Sequence, residues 1–210
     1  MASLKTHIFR VGLMLAVFAI VATSLVAMTE ANTREKISEN ERQALLKAIN
    51  QIVDRSDYNN AILSDTINIS KNKLLGTKQD TIVYRARFDD KPVAAVFTSV
   101  APNGYSGEIT LLIGVYYDGS IAGVRAISHK ETPGLGDKIN EQKSNWIGQF
   151  KGLSLTNPDP SKWKVKKDGG DFDQFTGATI TPRAVVGAVK KALEYFNKNR
   201  DTLFEVTPDE

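Results

Sequence analysis

The chain has 210 residues, of which 41% are hydrophobic and 24% charged. That balance excludes a disordered or collagen-like chain and leaves room for one domain or two small ones. There is no cysteine, and His7 and His129 are the two histidines; this excludes a disulfide scaffold, a cysteine nucleophile, thiolate-held zinc or iron–sulfur centres and an H-E-x-x-H metalloprotease. The net charge is +3, and two of the cations, Lys5 and Arg10, precede an apolar run. The rest of the chain is close to neutral and lacks the basic footprint of a nucleic-acid binder.

From Val11 to Met28, 18 consecutive residues carry no charge. A helix of that length covers about 27 Å, close to the thickness of a bilayer's hydrocarbon core. Lys5 and Arg10 lie before the run and Glu30 after it, so the positive-inside rule puts the short N-terminus in the cytoplasm and the remainder outside. A cleaved signal peptide is the competing reading. Its apolar region usually runs shorter, and Thr29-Glu30-Ala31 makes a poor cleavage pattern. The expected organisation is a cytoplasmic segment over residues 1–10, an uncleaved transmembrane anchor over 11–29 and a single periplasmic domain over 30–210.

Beyond the anchor, Ala31–Asp54 reads as a helix with Leu45, Leu46, Ile49, Ile52 and Val53 at helical spacing. Arg55–Asp80 is polar and gives no clear element. Strands follow at Thr81–Phe88, Pro92–Val100, Ile109–Tyr117 and Ile121–Ser128, with turns predicted at Asp89-Asp90-Lys91 and Asp118-Gly119. Asp137–Phe150 returns to helical spacing, and Trp163–Lys167 reads as a short strand. The last helix is expected over Pro182–Asn197, with Thr181 as its N-cap and Pro182 at the first helical position. The tail from Asp201 is expected to fray. Antiparallel strands flanked by helices make the fold α+β.

Two segments stand apart chemically. His129-Lys130-Glu131-Thr132-Pro133-Gly134-Leu135-Gly136-Asp137 follows the last hairpin, and its two glycines allow close backbone approach to a ligand. Its plainer reading is a strand-to-helix loop with Asp137 as N-cap. The second segment, Asp171–Pro182, carries a run of small and hydroxyl residues into a helix N-terminus, a place that suits an anion. It contains neither a Walker loop nor G-x-G-x-x-G. Its hydroxyls include Thr176, Thr179 and Thr181; Thr181 reads as the capping threonine, and residue chemistry alone does not choose between a solvated hydroxyl and a phosphate ligand for Thr179. Asp89 and Asp90 read as solvated turn residues, Trp146 and Trp163 as core, Lys166 and Lys167 as a pair able to attract a phosphate or, more plainly, a wet face, and Gly104-Tyr105-Ser106-Gly107 as a turn or a pocket rim.

Asp173-x-x-Thr176-Gly177-Ala178-Thr179 matches the D-x-x-[ST]-G-A-T flavinylation signal of FMN-binding domains, and His129–Asp137 is similar to that family's second signature. With the single anchor and the Gly104–Gly107 segment, the whole chain resembles the G subunits of Rnf/Rsx electron-transport complexes. The C subunit of the sodium-pumping NADH:quinone reductase shares both motifs and is the alternative. The resemblance implies FMN joined through a phosphoester to Thr179, with Thr176, Gly177 and Ala178 completing the motif. It implies a flavin transferase that attaches FMN from FAD with Mg²⁺, partner Rnf/Rsx subunits in a bacterial inner membrane, and no partner nucleic acid. The implied role is electron relay, without a substrate-turnover site or a metal, in a complex coupling ferredoxin and NAD chemistry to ion translocation and, in enteric bacteria, to reduction of SoxR. An unflavinylated scaffold subunit is the rival of a different class.

Within that picture Pro133 and Leu135 would give the flavin ring apolar contact. Backbone of Thr132, Gly134 and Gly136 would reach ring edges. Glu131, if turned toward the ring, would oppose an anionic reduced flavin. Phosphate donors would come from the amides of Arg183 and Ala184 or from the loop.

Overall fold

The computed structural model describes residues 2–205, with side chains from Leu4 onward. The chain divides into two compact units, one ending at Lys47 and the other beginning at Ala48. The first is a single helix, α1, which runs from Ala2 to Asn50 and so carries three residues into the second unit. The apolar stretch and the charged stretch after it are therefore one helix rather than two. The sequence offers nothing to break it: no glycine lies between Gly12 and Gly76, and the first proline is Pro92. Phe9, Phe18, Leu25 and Met28 are each at least 62% exposed. A helix apolar all round with no protein cover is long and apolar enough to cross a membrane. Beyond it, Arg34–Glu30 and Arg42–Glu39 pair along the helix surface.

The second unit is built on five antiparallel strands in the order β1 (Thr66–Ile69), β2 (Thr81–Phe88), β3 (Lys91–Ala101), β4 (Ile109–Tyr116) and β5 (Ile121–Ser128). The α+β class and the four predicted strands hold, and β1 is an additional edge strand in the stretch read as polar. Asp89 and Asp90 both adopt positive φ, 48° and 62°, the turn that matches the right-handed twist of a two-residue hairpin. The Asn59 amide steadies it by donating to Asp89 Oδ1 at 2.8 Å.

Side chains alternate across the sheet, and both faces are covered. One face carries Ala95, Phe97, Leu111 and Ile113 beneath the C-terminal helix α2, Ile180–Phe204, whose Val185, Val189, Leu193 and Phe196 are fully buried. The other face carries Ala94, Val96 and Leu112, buried with Ile49, Ile52 and Val53 from the end of α1 and the turn after it. There Gly114 and Gly123 lie opposite each other in the β4–β5 register. A Cβ on Gly114 would stand 2.3 Å from Ile52 Cγ2, and one on Gly123 would stand 3.2 Å from Ile52 Cα. The two glycines form the notch that seats Ile52.

α2 does not fray at Asp201. It continues to Phe204, with Leu203 and Phe204 buried. Arg87 donates to the Phe204 carbonyl at 2.9 Å and Arg85 to that of Glu205 at 2.8 Å. Asp65 holds both guanidiniums, at 2.5 Å to Arg85 and 2.9 Å to Arg87. Two cations thus meet the negative end of the helix, where the last carbonyls lack intrahelical donors.

Between β5 and α2 the chain is irregular. The helix expected over Asp137–Phe150 is instead two 3₁₀ turns, Gly136–Ile139 and Asn145–Phe150. Polar side chains take the intervening backbone groups: Asn140 Oδ1 accepts from the Gln142 amide, and Ser144 Oγ bonds both the Trp146 amide and the Lys138 carbonyl. The strand expected at Trp163–Lys167 is a single bridge, Val165 to Phe172, followed by a 3₁₀ turn over Lys166–Asp168. Trp146, Phe150, Trp163, Phe172 and Phe175 join in one aromatic cluster.

Gly114→Ala is expected to lower stability by about 1–3 kcal/mol through overpacking against Ile52. Chemical denaturation of the detergent-solubilised full chain checks it; a midpoint equal to the parent's would show that the notch has slack.

Candidate functional site

The site begins where β5 ends. Glu131 is 5% exposed, and each of its carboxylate oxygens has a partner. Oε1 accepts from the Ser106 amide at 2.9 Å, and Oε2 accepts from the Thr181 hydroxyl. Three segments distant in sequence therefore meet on one carboxylate: the loop before β4, the loop after β5 and the first turn of α2. Two glycines make the meeting possible. A Cβ on Gly104 would lie 2.9 Å from Glu131 Oε1, and one on Gly136 would lie 2.8 Å from Oε2 and 2.7 Å from Thr181 Oγ1. Gly134, by contrast, is needed for its positive φ of 78°, with open space around it.

The second segment enters from the aromatic cluster. Phe175 is buried, and the Ala178 amide closes a turn onto its carbonyl at 3.1 Å, with Gly177 at φ 80°. α2 then starts at Ile180, two residues earlier than the sequence suggests. Thr179, not Thr181, is its N-cap residue, and the Thr179 side chain makes no capping hydrogen bond. Thr181 lies inside the first turn, fully buried, its hydroxyl committed to Glu131. Pro182 is still tolerated, because the amides of the first helical turn lack intrahelical acceptors. The expected phosphate donor at Arg183 is used otherwise: its amide bonds the Thr179 carbonyl at 3.3 Å. The first-turn amides of Ile180 and Thr181, which lack intrahelical acceptors, take its place as candidate donors.

Ion pairs brace this loop. Arg183 forms a fork on Asp168 at 2.6 and 2.9 Å, a hydrogen bond that holds the Asp168 carboxyl below the usual carboxylate range. Lys166 pairs with Asp173 at 2.6 Å, and Trp146 Nε1 donates to the Asp173 carbonyl at 2.8 Å.

Between the segments lies a cavity of about 570 Å³, within the range that holds a drug-sized ligand. Glu131, Thr132, Leu135, Gly136, Gly177, Ala178 and Thr179 line it; Pro133, Gly134 and Thr176 are exposed and lie off its wall. The wall also includes Tyr105, Lys167, Ile180 and Thr181. Tyr105 belongs to the segment read as a turn or a pocket rim, and Lys167 to the pair read as phosphate-attracting or a wet face. Leu135 and Ile180 are 42% and 44% exposed, so large apolar side chains stand open at the cavity, beside a hydroxyl at a helix N-terminus. An apolar wall next to an anion-favouring helix end fits a ligand with a flat apolar ring and a phosphate, as in FMN.

Gly136→Ala is expected to force Glu131 and Thr181 apart. Stability should fall by about 1–3 kcal/mol, and the Ser106 amide should exchange its hydrogen faster. Unchanged exchange at Ser106 would show that the carboxylate does not hold that loop.

Residues 104–194 match the FMN-binding domain model, and residues 1–52 match the RnfG N-terminal region. The chain is similar to the G subunit of the ion-translocating oxidoreductase complex of Pseudoalteromonas atlantica, 45% identical over 97% of this chain and 95% of the relative. It is 48% identical to the protein of the same name from Vibrio cholerae over 94% of each chain. With that of Shewanella baltica the identity is 44% over 97% of this chain and 96% of the relative. On matches of this extent, the chain belongs to the family of G subunits of ion-translocating oxidoreductase complexes and carries an FMN-binding domain.

Proposed function

We propose that the protein is a membrane-anchored electron-relay subunit that carries FMN covalently on Thr179 within an Rnf/Rsx-type complex. The observation that carries the assignment is the contrast among three neighbouring hydroxyls. Thr181 is buried and bonded to Glu131. Thr176 is exposed and off the cavity wall. Thr179 lines the cavity, with no capping bond to hold its hydroxyl. A phosphoester there would sit at the positive end of α2, near the Ile180 and Thr181 amides and Lys167. Leu135, Ala178 and Ile180 would receive the ring. The flavin supplies the redox chemistry, and the protein positions it.

The partners in this reading are the other Rnf/Rsx membrane subunits, as the relatives' names suggest, and a flavin transferase that loads FMN. The role is relay without a substrate-turnover site of its own, in ion-coupled ferredoxin/NAD electron transfer and, in an enteric host, in re-reduction of SoxR. Residues 1–10 would be cytoplasmic, 11–29 would span the bacterial inner membrane, and 30–210 would stand in the periplasm. Lys5 and Arg10 before the apolar run support that orientation.

Thr179→Ala should abolish covalent FMN while leaving the domain folded, because the hydroxyl makes no capping bond. Peptide mass spectrometry across residues 173–183 reads this directly on full-length protein made beside an active flavin transferase. FMN mass on Thr176 or Thr181 would move the attachment site, and no adduct on the parent protein would reject the function.

A reporter fused after Glu210 should be active only in the periplasm. Cytoplasmic activity of the fusion would reverse the orientation.

A further inference from the structure

We propose that Glu131 is the positioning residue of the flavin cavity, and that its buried carboxylate lowers the reduction potential of the ring held there. The proposal rests on the reading of this cavity as the flavin site. Glu131 lines the cavity, and the residue as a whole is 5% exposed. Its Oε1 must accept, because the Ser106 amide has only a hydrogen to give. Its Oε2 accepts the Thr181 hydroxyl. Both oxygens are engaged, and Gly104 and Gly136 close around them. The group cannot swing away without losing the loop before β4 and the first turn of α2.

The charges around it do not cancel it. Lys167 also lines the cavity, but its side chain is exposed and screened by water. Asp137, on the same loop, is 8% exposed and adds negative charge; its Oδ1 has no partner among the described residues. His129 faces the Glu131 backbone, its Nδ1 accepting the Glu131 amide at 3.3 Å. A bound flavin ring reversibly takes up an electron pair with one or two protons, and the one-proton form carries net negative charge. A fixed, poorly solvated carboxylate beside the ring opposes that charge. Glu131 thereby disfavours reduction without the second proton and makes electrons harder to place on the ring.

The test uses the full-length protein loaded by a co-expressed flavin transferase, held in detergent and titrated with dithionite as electron donor. Glu131→Gln keeps the shape and removes the charge. Its midpoint potential should shift to a more positive value, with the flavin mass still on the 173–183 peptide. Thr181→Val keeps the carboxylate and removes its hydroxyl donor, leaving the charge less compensated, so its midpoint should shift the other way. A loaded Glu131→Gln protein at the parent potential, or at a more negative one, overturns the proposal. Where that variant carries no flavin, Thr181→Val decides: a midpoint unchanged or more positive overturns it. A parent protein without flavin rejects the cavity reading itself and this proposal with it. That result is distinct from a loaded protein whose potential ignores residue 131.

Discussion

One buried carboxylate organises the functional end of this domain. Glu131 is removed from water and accepts hydrogen bonds from Ser106 and Thr181. A carboxylate in that position is costly unless its oxygens are satisfied, and satisfying them brings three chain segments into register. The glycines at 104 and 136 follow from the same demand, since a side chain at either would occupy the space of the carboxylate. The cavity is a by-product of this arrangement: loops drawn together at one polar point leave a concave apolar wall beside it.

Rigidity elsewhere makes the placement meaningful. α2 is held at its C-terminal end by Arg85 and Arg87, which Asp65 fixes in place, at its start by the Arg183–Asp168 fork, and along its length by the sheet. Thr179 therefore sits at the end of a helix fixed in position, directly after a loop pinned by Trp146 and Lys166. A group tethered there would keep a constant distance to whatever docks beside the cavity, which suits electron relay better than a tether on a free loop would.

The sheet was legible because alternation and hairpin turns are local signals: β2 to β5 and both turns follow from residues close in sequence. β1 was not, since four residues at a sheet edge give too few alternations to stand out from the polar stretch around them. The helical spacing of Asp137–Phe150 was real, but Asn140 and Ser144 divert the backbone into short turns. Motif spacing picked out the segments that form the cavity. The start of α2 misled for a different reason. A threonine before a proline is a sound capping signal, but a partner fifty residues away claims the Thr181 hydroxyl. No local pattern reveals such a contact, and the same distance hid the work of Glu131, Gly104 and Gly136.

The aromatic cluster has an optical consequence. The protein has two tryptophans, and both lie in that cluster: Trp163 against Phe172, and Trp146 against Phe175, the residue before the threonine-glycine turn. Neither lies in the sheet or in α1. Tryptophan emission thus reports on the ground beneath this one loop, while unfolding at the far edge of the sheet leaves it largely untouched. A chromophore carried on the loop would stand close enough to drain that emission by energy transfer. The protein's own fluorescence is then a gauge of whether the loop is loaded, read without label or added probe.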